Sequence, residues 1–228
     1  MKRVIYLICT TSRSGSTYLC ELLRSTRRLG NPREFYNTRK HEESTRLWSA
    51  KDDLDYLRHL LKNTSTENGV CGVKLSTTAF MKFREGLGPI ADALHIRYLF
   101  LRRRDRPRQA ISLYRATQSR IWEWRRDEPM PAGKVHFDEK GIIEASEAIQ
   151  RANQYWVDWF TEAQVSPLEL WYEDIMNNAQ NVVRSVCRWV GVDDQHLPPL
   201  STNTRIMRDH ITERWVQRIQ SLEATNHI

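Results

Sequence analysis

The stretch CTTSRSGSTYLCELL, Cys9 to Leu23, begins where an apolar run stops and ends inside a helical pattern. Before it, Val4 to Cys9 (VIYLIC) is rich in β-branched and aromatic residues, the signature of a short buried strand. After it, Leu19, Leu22 and Leu23 fall at helical spacing within Ser16 to Arg27, and Gly30, Asn31 and Pro32 stop the pattern. Strand, small-residue turn and helix start together make an anion site. The free N–H groups of the first helical turn and the positive end of the helix dipole point at one spot. Gly15 lets backbone approach closely, Ser14, Ser16 and Thr17 add hydroxyl donors, and Arg13 adds a planar, permanent cation. A serine-capped helix following a buried strand reads from the same letters.

Outward from this loop, strands and helices alternate. Val70 to Leu75, Ile96 to Leu101 and Leu168 to Tyr172 read as further strands. Arg106 to Ile121, Ile142 to Ala163 and Asn178 to Val190 read as helices, the last with Val182, Val183, Val186, Trp189 and Val190 on one face. Alternation without tight hairpins implies crossover connections, hence an α/β fold with a central parallel sheet flanked by helices. Ligands of such sheets gather beyond the carboxyl ends of the strands. The informative segments are therefore Thr10 to Thr17, Lys74 to Thr78, Arg102 to Arg106 and Glu173 to Asp174. Arg125 to Gly141, polar and broken by prolines, reads as a mobile flap or a partner-contacting loop.

The 228 residues, 40% of them hydrophobic, suffice for one domain spanning residues 1–228, and no linker, repeat or low-complexity tract divides them. No apolar run is long enough to cross a bilayer, and the basic start Met1-Lys2-Arg3 reads as the lead-in to a strand rather than a signal peptide, which implies a cytoplasmic location. Cys9, Cys20, Cys71 and Cys187 stand far apart among apolar neighbours and read as buried thiols, not as ligands or disulfides. The net charge of +7 favours polyanionic or multiply phosphorylated partners. No finger spacing or stacking motif supports nucleic acid.

The loop is not the G-x-x-x-x-G-K-[ST] nucleotide motif, since it lacks the Gly-Lys pair and its charge precedes the glycine. It resembles the 5′-phosphosulfate loop of sulfotransferases that use 3′-phosphoadenosine-5′-phosphosulfate (PAPS). Those enzymes carry a second element, an arginine followed eight residues later by a serine, which LFLRRRDRPRQAIS supplies as Arg104 and Ser112. RSGSTYLCELLRSTRRLGNPREFYN, LRRRDRPRQAISLYRATQSRIW, PLELWYEDI and TERW, in that order, are similar to the bacterial trehalose 2-sulfotransferase family, from Val4 to about Trp215. Ser12, where that pattern has proline, and Arg214, where it has an acidic residue, depart from it. The resemblance implies a P-loop-like sulfotransferase fold, PAPS as donor without a metal, a saccharide acceptor such as trehalose, and a homodimer. It also implies that Arg13 and Ser14 to Thr17 hold the 5′ side, and that Arg104 and Ser112 hold the 3′-phosphate.

Sulfuryl transfer needs charge stabilisation on the leaving oxygen and a base for the acceptor hydroxyl. The resemblance makes Glu34, in NPREFY, the base. A helix from Ser16 to Arg27 leads away by about 18 Å, and an extended Arg28 to Glu34 recovers roughly 20 Å. The return requires NPREF to run back as a strand; otherwise Glu34 is a surface carboxylate paired with Arg33 or Arg39. Lys74, at a strand end, is the alternative group for the transferring sulfuryl, and no histidine stands two positions after it, where cytosolic sulfotransferases have K-x-H. Trp122 and Trp124 are acceptor-site candidates because aromatic faces stack on sugars, whereas Trp156 and Phe160, four apart on a helix, read as core. Arg205 and Arg208 read either as a phosphate clamp or as solvated charges.

Two other classes share some of these features. A small-molecule kinase would begin with the same strand, loop and helix, and would require ATP and magnesium. A polyanion-binding module would explain the charge and would bind in a steeply salt-sensitive way.

Overall fold

The structure, a computed structural model, describes residues 4–88, 94–129, 133–207 and 209–225. In chain order the elements are β1 (Val4–Thr10), α1 (Ser16–Ser25), α2 (Thr38–Trp48), α3 (Asp53–Thr64), β2 (Val70–Leu75), α4 (Thr77–Leu87) and β3 (His95–Arg102). There follow α5 (Arg106–Ser119), α6 (Glu139–Glu162), β4 (Leu168–Trp171), α7 (Tyr172–Asn177), α8 (Ala179–Val190) and α9 (His210–Thr225). All the strand pairs are parallel, in the order β2-β1-β3-β4. The expected α/β architecture is present.

Strand alternation divides the core. Ile5, Leu7 and Cys9 of β1 face α3, α4 and α6, where Tyr56, Phe80 and Trp156 are buried. Tyr6 and Ile8 face the other side, against Leu19 and Leu23 of α1 and the valine face of α8. Trp156 is fully buried and gives its indole N–H to the Thr10 carbonyl at 3.2 Å, tying α6 to the end of β1. Truncating it to alanine costs about 3–5 kcal/mol. A third cluster packs Ile111 of α5 and Ile149 of α6 against Trp215 and Val216 of α9. All four cysteines are buried and reduced, as their neighbours imply.

The chain passes from β1 to its neighbour on one side, β2, and then to β3 on the other. The carboxyl ends of β1 and β3 thus flank the point where the winding reverses, where open α/β sheets bind ligands. The loops after these strands, residues 11–15 and 103–105, contain Arg13 and Arg103. Among the described residues no helix is long and apolar enough to cross a membrane.

Five helices lie outside the sequence expectations: α2, α3, α4, α7 and α9. α2 buries none of its residues, so it has no apolar period to reveal it. α7 is only six residues long and begins at Tyr172, which the sequence assigns to the preceding strand.

Candidate active site

Gly15 adopts φ 82°, in the left-handed region, and turns β1 into α1. A Cβ there would stand 2.3 Å from the Tyr172 ring, so the residue must also be small. No side chain caps α1. By contrast Asp52, Ser76, Asp105, Asp138 and Asn178 cap α3, α4, α5, α6 and α8 by accepting from backbone N–H groups. α2 and α7 share the lack of a side-chain cap with α1. Ser16 and Thr17 line a cavity of about 420 Å³ together with Arg13, Arg103, Ser112, Trp122, Trp124, Tyr172 and Arg205. That volume is in the range of small-molecule sites.

Ser14 departs from its expected role as a hydroxyl donor to ligand. Its side chain is fully buried, and its Oγ is 2.5 Å from Thr10 Oγ1, so the hydroxyl braces the loop from within. Gln109 of α5 supports the loop from below by donating to Thr11 Oγ1 at 3.1 Å and to the Ser12 carbonyl at 2.8 Å.

Arg13 and Ser112, 99 positions apart, meet directly: Nε donates to Ser112 Oγ at 2.8 Å. The other guanidinium nitrogens donate to the Trp122 carbonyl and to Met207 Sδ. Burial, and then the neighbouring Arg103 and Arg115, lower the Arg13 pKa to about 10, which leaves it charged at neutral pH. Arg103 donates to the Arg13 carbonyl at 3.3 Å and lies over the Tyr172 ring.

Arg104 points elsewhere. It makes a two-pronged bond to Asp174, at 2.6 and 2.9 Å, stacks on Trp171 and is not among the residues that line the cavity. Glu173 accepts from the Arg104 and Asp105 amides, fixing the start of α5. The arginines that do line the cavity from this part of the chain are Arg103, Arg108 and Arg115. Arg108, Ser112, Arg115 and Ser119 follow one another at four, three and four positions, one face of α5. That spacing was readable; the eight-residue motif drew attention to Arg104 instead.

The return of Glu34 takes place. Arg33 forms a single parallel bridge with Val73, and its carbonyl accepts from the Lys74 amide at 3.0 Å. Glu34 Oε1 then lies 2.8 Å from Lys74 Nζ, which also donates to Thr17 Oγ1 at 3.1 Å. Lys40 approaches the second oxygen at 3.8 Å. Partners other than Arg33 or Arg39 therefore hold this carboxylate. Its partial burial would raise its pKa, but Lys74 and then Lys40 outweigh that and hold it below the usual carboxylate range.

Of the segment read as a flap or partner loop, residues 125–127 are docked on the chain's own tail, while Val135 and Phe137 pack with Ile111, Trp215 and Val216. Arg125 bridges Thr204 in antiparallel fashion, and Arg205 donates its amide to the Trp124 carbonyl at 2.8 Å. The Arg205 guanidinium covers the Trp124 ring, 4.7 Å from its centre. Trp124 therefore faces the cavity with one face taken, and Trp122 is half exposed at its mouth. Arg208 lies outside the described residues.

The family model of Stf0 sulphotransferases matches residues 5–221, almost the whole chain. The chain belongs to the Stf0 sulphotransferase family. It is a sulfotransferase. Among curated relatives, the trehalose 2-sulfotransferase of Mycolicibacterium smegmatis is 26% identical, over 93% of this chain and 93% of its own length. That of Mycobacterium tuberculosis is also 26% identical, over 95% of this chain and 94% of its own length. Two solved structures share the Stf0 chain's fold at 16% identity. The sulfotransferase domain of a Synechococcus olefin synthase superposes with a TM-score of 0.51, covering 84% of this chain and 74% of its own. A sulfotransferase from Alicyclobacillus acidocaldarius superposes with the same score, covering 100% of this chain and 97% of its own.

Proposed function

We propose that this Stf0 chain transfers the sulfuryl group of PAPS to a saccharide hydroxyl, with Glu34 as the base and trehalose as the first acceptor to try. One observation carries the reading: Lys74 touches both the Glu34 carboxylate and Thr17 at the start of the uncapped helix. A base and an anion site are thus joined through a single ammonium group.

The residues suit the donor. Arg13, Arg103, Ser112 and the first amides of α1 surround a cavity of about 420 Å³, and Gly15 leaves backbone exposed to it. Bound there, PAPS supplies an electrophilic sulfuryl group and a nucleotide bisphosphate leaving group. The α1 amides, Ser16 and Thr17 hold the anionic end and stabilise charge that grows on it. Arg13, oriented by Ser112, and Arg103 serve the nucleotide phosphates. Arg104 takes part only if it leaves Asp174. Glu34, ionised at neutral pH, accepts the proton of the acceptor hydroxyl, and Lys74 keeps the carboxylate turned toward Thr17. Arg205 and Trp124 close the far wall.

The kinase reading lacks the loop lysine that serves nucleotide phosphates. Purified protein incubated with sulfur-labelled PAPS and a panel of disaccharides, glycolipids and phenols tests the proposal. Labelled saccharide, formed equally well with a chelator present, is the expected result. Turnover of ATP with magnesium, and none of PAPS, would overturn it.

A further inference from the structure

Gln109, early in α5, is only 1% exposed, and both hydrogen bonds of its side chain go to the anion loop. Its Nε2 donates to the Ser12 carbonyl at 2.8 Å and to Thr11 Oγ1 at 3.1 Å. The Ser12 carbonyl can only accept, so the amide must turn its nitrogen toward it. Its Oε1 is left buried and, among the described residues, without a partner. A buried, unsatisfied oxygen destabilises the fold, so stability alone does not explain an amide at this position.

The loop it grips is strained. Arg13, the residue after Ser12, has φ 62°, and Gly15 has φ 82°. A residue other than glycine keeps a left-handed backbone only where its surroundings impose it. α5 holds Arg13 at both ends. Gln109 fastens the carbonyl of the peptide that leads into Arg13, and Ser112, three positions on along α5, accepts from its guanidinium Nε at 2.8 Å. Arg103 donates to the next carbonyl, that of Arg13, at 3.3 Å. The root of Gln109 is itself fixed, because Asp105 caps α5 and Glu173 accepts from the Arg104 and Asp105 amides.

We propose that Gln109 is a positioning residue for sulfuryl transfer. It sets the direction of the Ser12–Arg13 peptide, and thereby aims the Arg13 guanidinium and the amides of Ser14 to Thr17 at the donor. It is not among the residues that line the cavity, so it acts only through the loop. This rests on the sulfotransferase reading of the loop and goes beyond it by naming the side chain that keeps the loop in its working form. Misdirected donors lose more in the transition state than in the ground state, because charge builds on the leaving oxygen only as its bond to sulfur breaks.

Gln109→Met and Gln109→Glu provide the test. Methionine keeps the bulk and removes both hydrogen bonds, but it also removes the unsatisfied oxygen. These effects oppose one another, so the melting temperature should move by only a few degrees. With PAPS and the saccharide that the parent uses best, kcat should nevertheless fall roughly a hundredfold. Affinity for adenosine 3′,5′-bisphosphate, measured by calorimetry, should fall about tenfold. Glutamate has the shape of glutamine but, when ionised, no hydrogen to give. Burial raises its pKa, and the protonated carboxyl can donate one O–H to the Ser12 carbonyl. Turnover of the glutamate protein relative to the parent should therefore rise as pH falls from about 9 to about 6, and that of the methionine protein should not. A folded Gln109→Met protein with parental kcat, or a glutamate-to-parent ratio that stays flat over that range, overturns the proposal. Failure of the sulfotransferase reading would show separately, as no transfer of label by the parent. A tenfold loss of bisphosphate affinity in Gln109→Met would then still place Gln109 behind the anion loop.

Discussion

Lys74 Nζ lies 2.8 Å from Glu34 Oε1, and this pair links the edge of the sheet to the anion loop. The lysine is almost wholly buried, whereas the carboxylate is partly open to solvent. Coulomb attraction in such a half-dry place is strong enough to keep Glu34 ionised well into acid.

Glu34→Gln should therefore reduce sulfuryl transfer by roughly a hundredfold or more, the usual worth of a positioned base, with bisphosphate affinity nearly unchanged. Its partner has the subtler effect. With Lys74 present, the Glu34 pKa sits below the ordinary value, so the acidic limb of kcat/KM should fall below the usual glutamate range. Lys74→Met removes the dominant attraction and leaves burial, which raises the pKa. The limb should then move to higher pH, as pH–rate profiles of the two proteins would reveal. An unmoved limb would mean that the limb belongs to another group.

Gly15→Ala tests the cradle. Alanine at φ 82° pays about 1–2 kcal/mol in backbone strain, and its Cβ would meet the Tyr172 ring at 2.3 Å. The variant should melt lower and bind adenosine 3′,5′-bisphosphate at least tenfold more weakly. Adding Tyr172→Ala opens the space and should return part of the stability but not the strain component. A double-mutant cycle of melting temperatures checks the coupling.

The sheet was legible because each strand is a short apolar run closed by polar residues; β2 falls on Val70 to Leu75 at both ends. The helices α5, α6 and α8 were legible from their apolar faces. α2 was not, because it fully buries no residue and meets the core only at its edge, through His41 and Trp48, and α9 was not, because Trp215 and Val216 find their partners only when α5 and α6 are in place. At the site, the loop from Arg13 to Thr17 could be anticipated as an anion pocket, but that Ser112, expected beside Arg104, meets Arg13 instead could not. The direction of an arginine could not: Arg102, Arg103 and Arg104 are adjacent, and only the positions of Glu169, Tyr172 and Asp174 decide where each turns. Glu34 needed the resemblance, since nothing in NPREFY distinguishes a base from a surface charge until the Arg33–Val73 bridge brings it to Lys74.

Glu21 fastens the tail. Its carboxylate accepts from Thr202, Asn203 and Thr204, and these hydrogen bonds overcome the effect of its burial to hold its pKa below the ordinary value. A depressed carboxylate stabilises the fold above its unfolded pKa, and that contribution disappears as pH falls through the folded one. Glu21→Ala should cost about 2 kcal/mol at neutral pH and release residues 202–205 from residues 124–126. Tryptic cleavage after Arg205 should accelerate, and hydrogen exchange at the Arg126 and Arg205 amides should rise, with exchange in β1 unaltered.

Arg115 and Asp209 form the firmer tie between α5 and the start of α9. The guanidinium donates to both carboxylate oxygens, at 2.6 and 2.8 Å, and both side chains are about four-fifths buried. Burial alone would raise the Asp209 pKa, but Arg115 and then the Thr212 amide lower it to about 2. The unfolded chain titrates near an ordinary aspartate, roughly 3.9, so protonation in that window favours unfolding. The linked stability is about 2 kcal/mol, complete above about pH 4 and lost progressively toward pH 2. Asp209→Asn should thus be less stable than the parent at pH 7 by that amount, while the two proteins converge near pH 2. Urea denaturation of both, without ligand, at a series of pH values between 2 and 7 measures the gap. A gap that stays constant across the series would assign the cost to lost packing at the cavity wall rather than to the charge on Asp209.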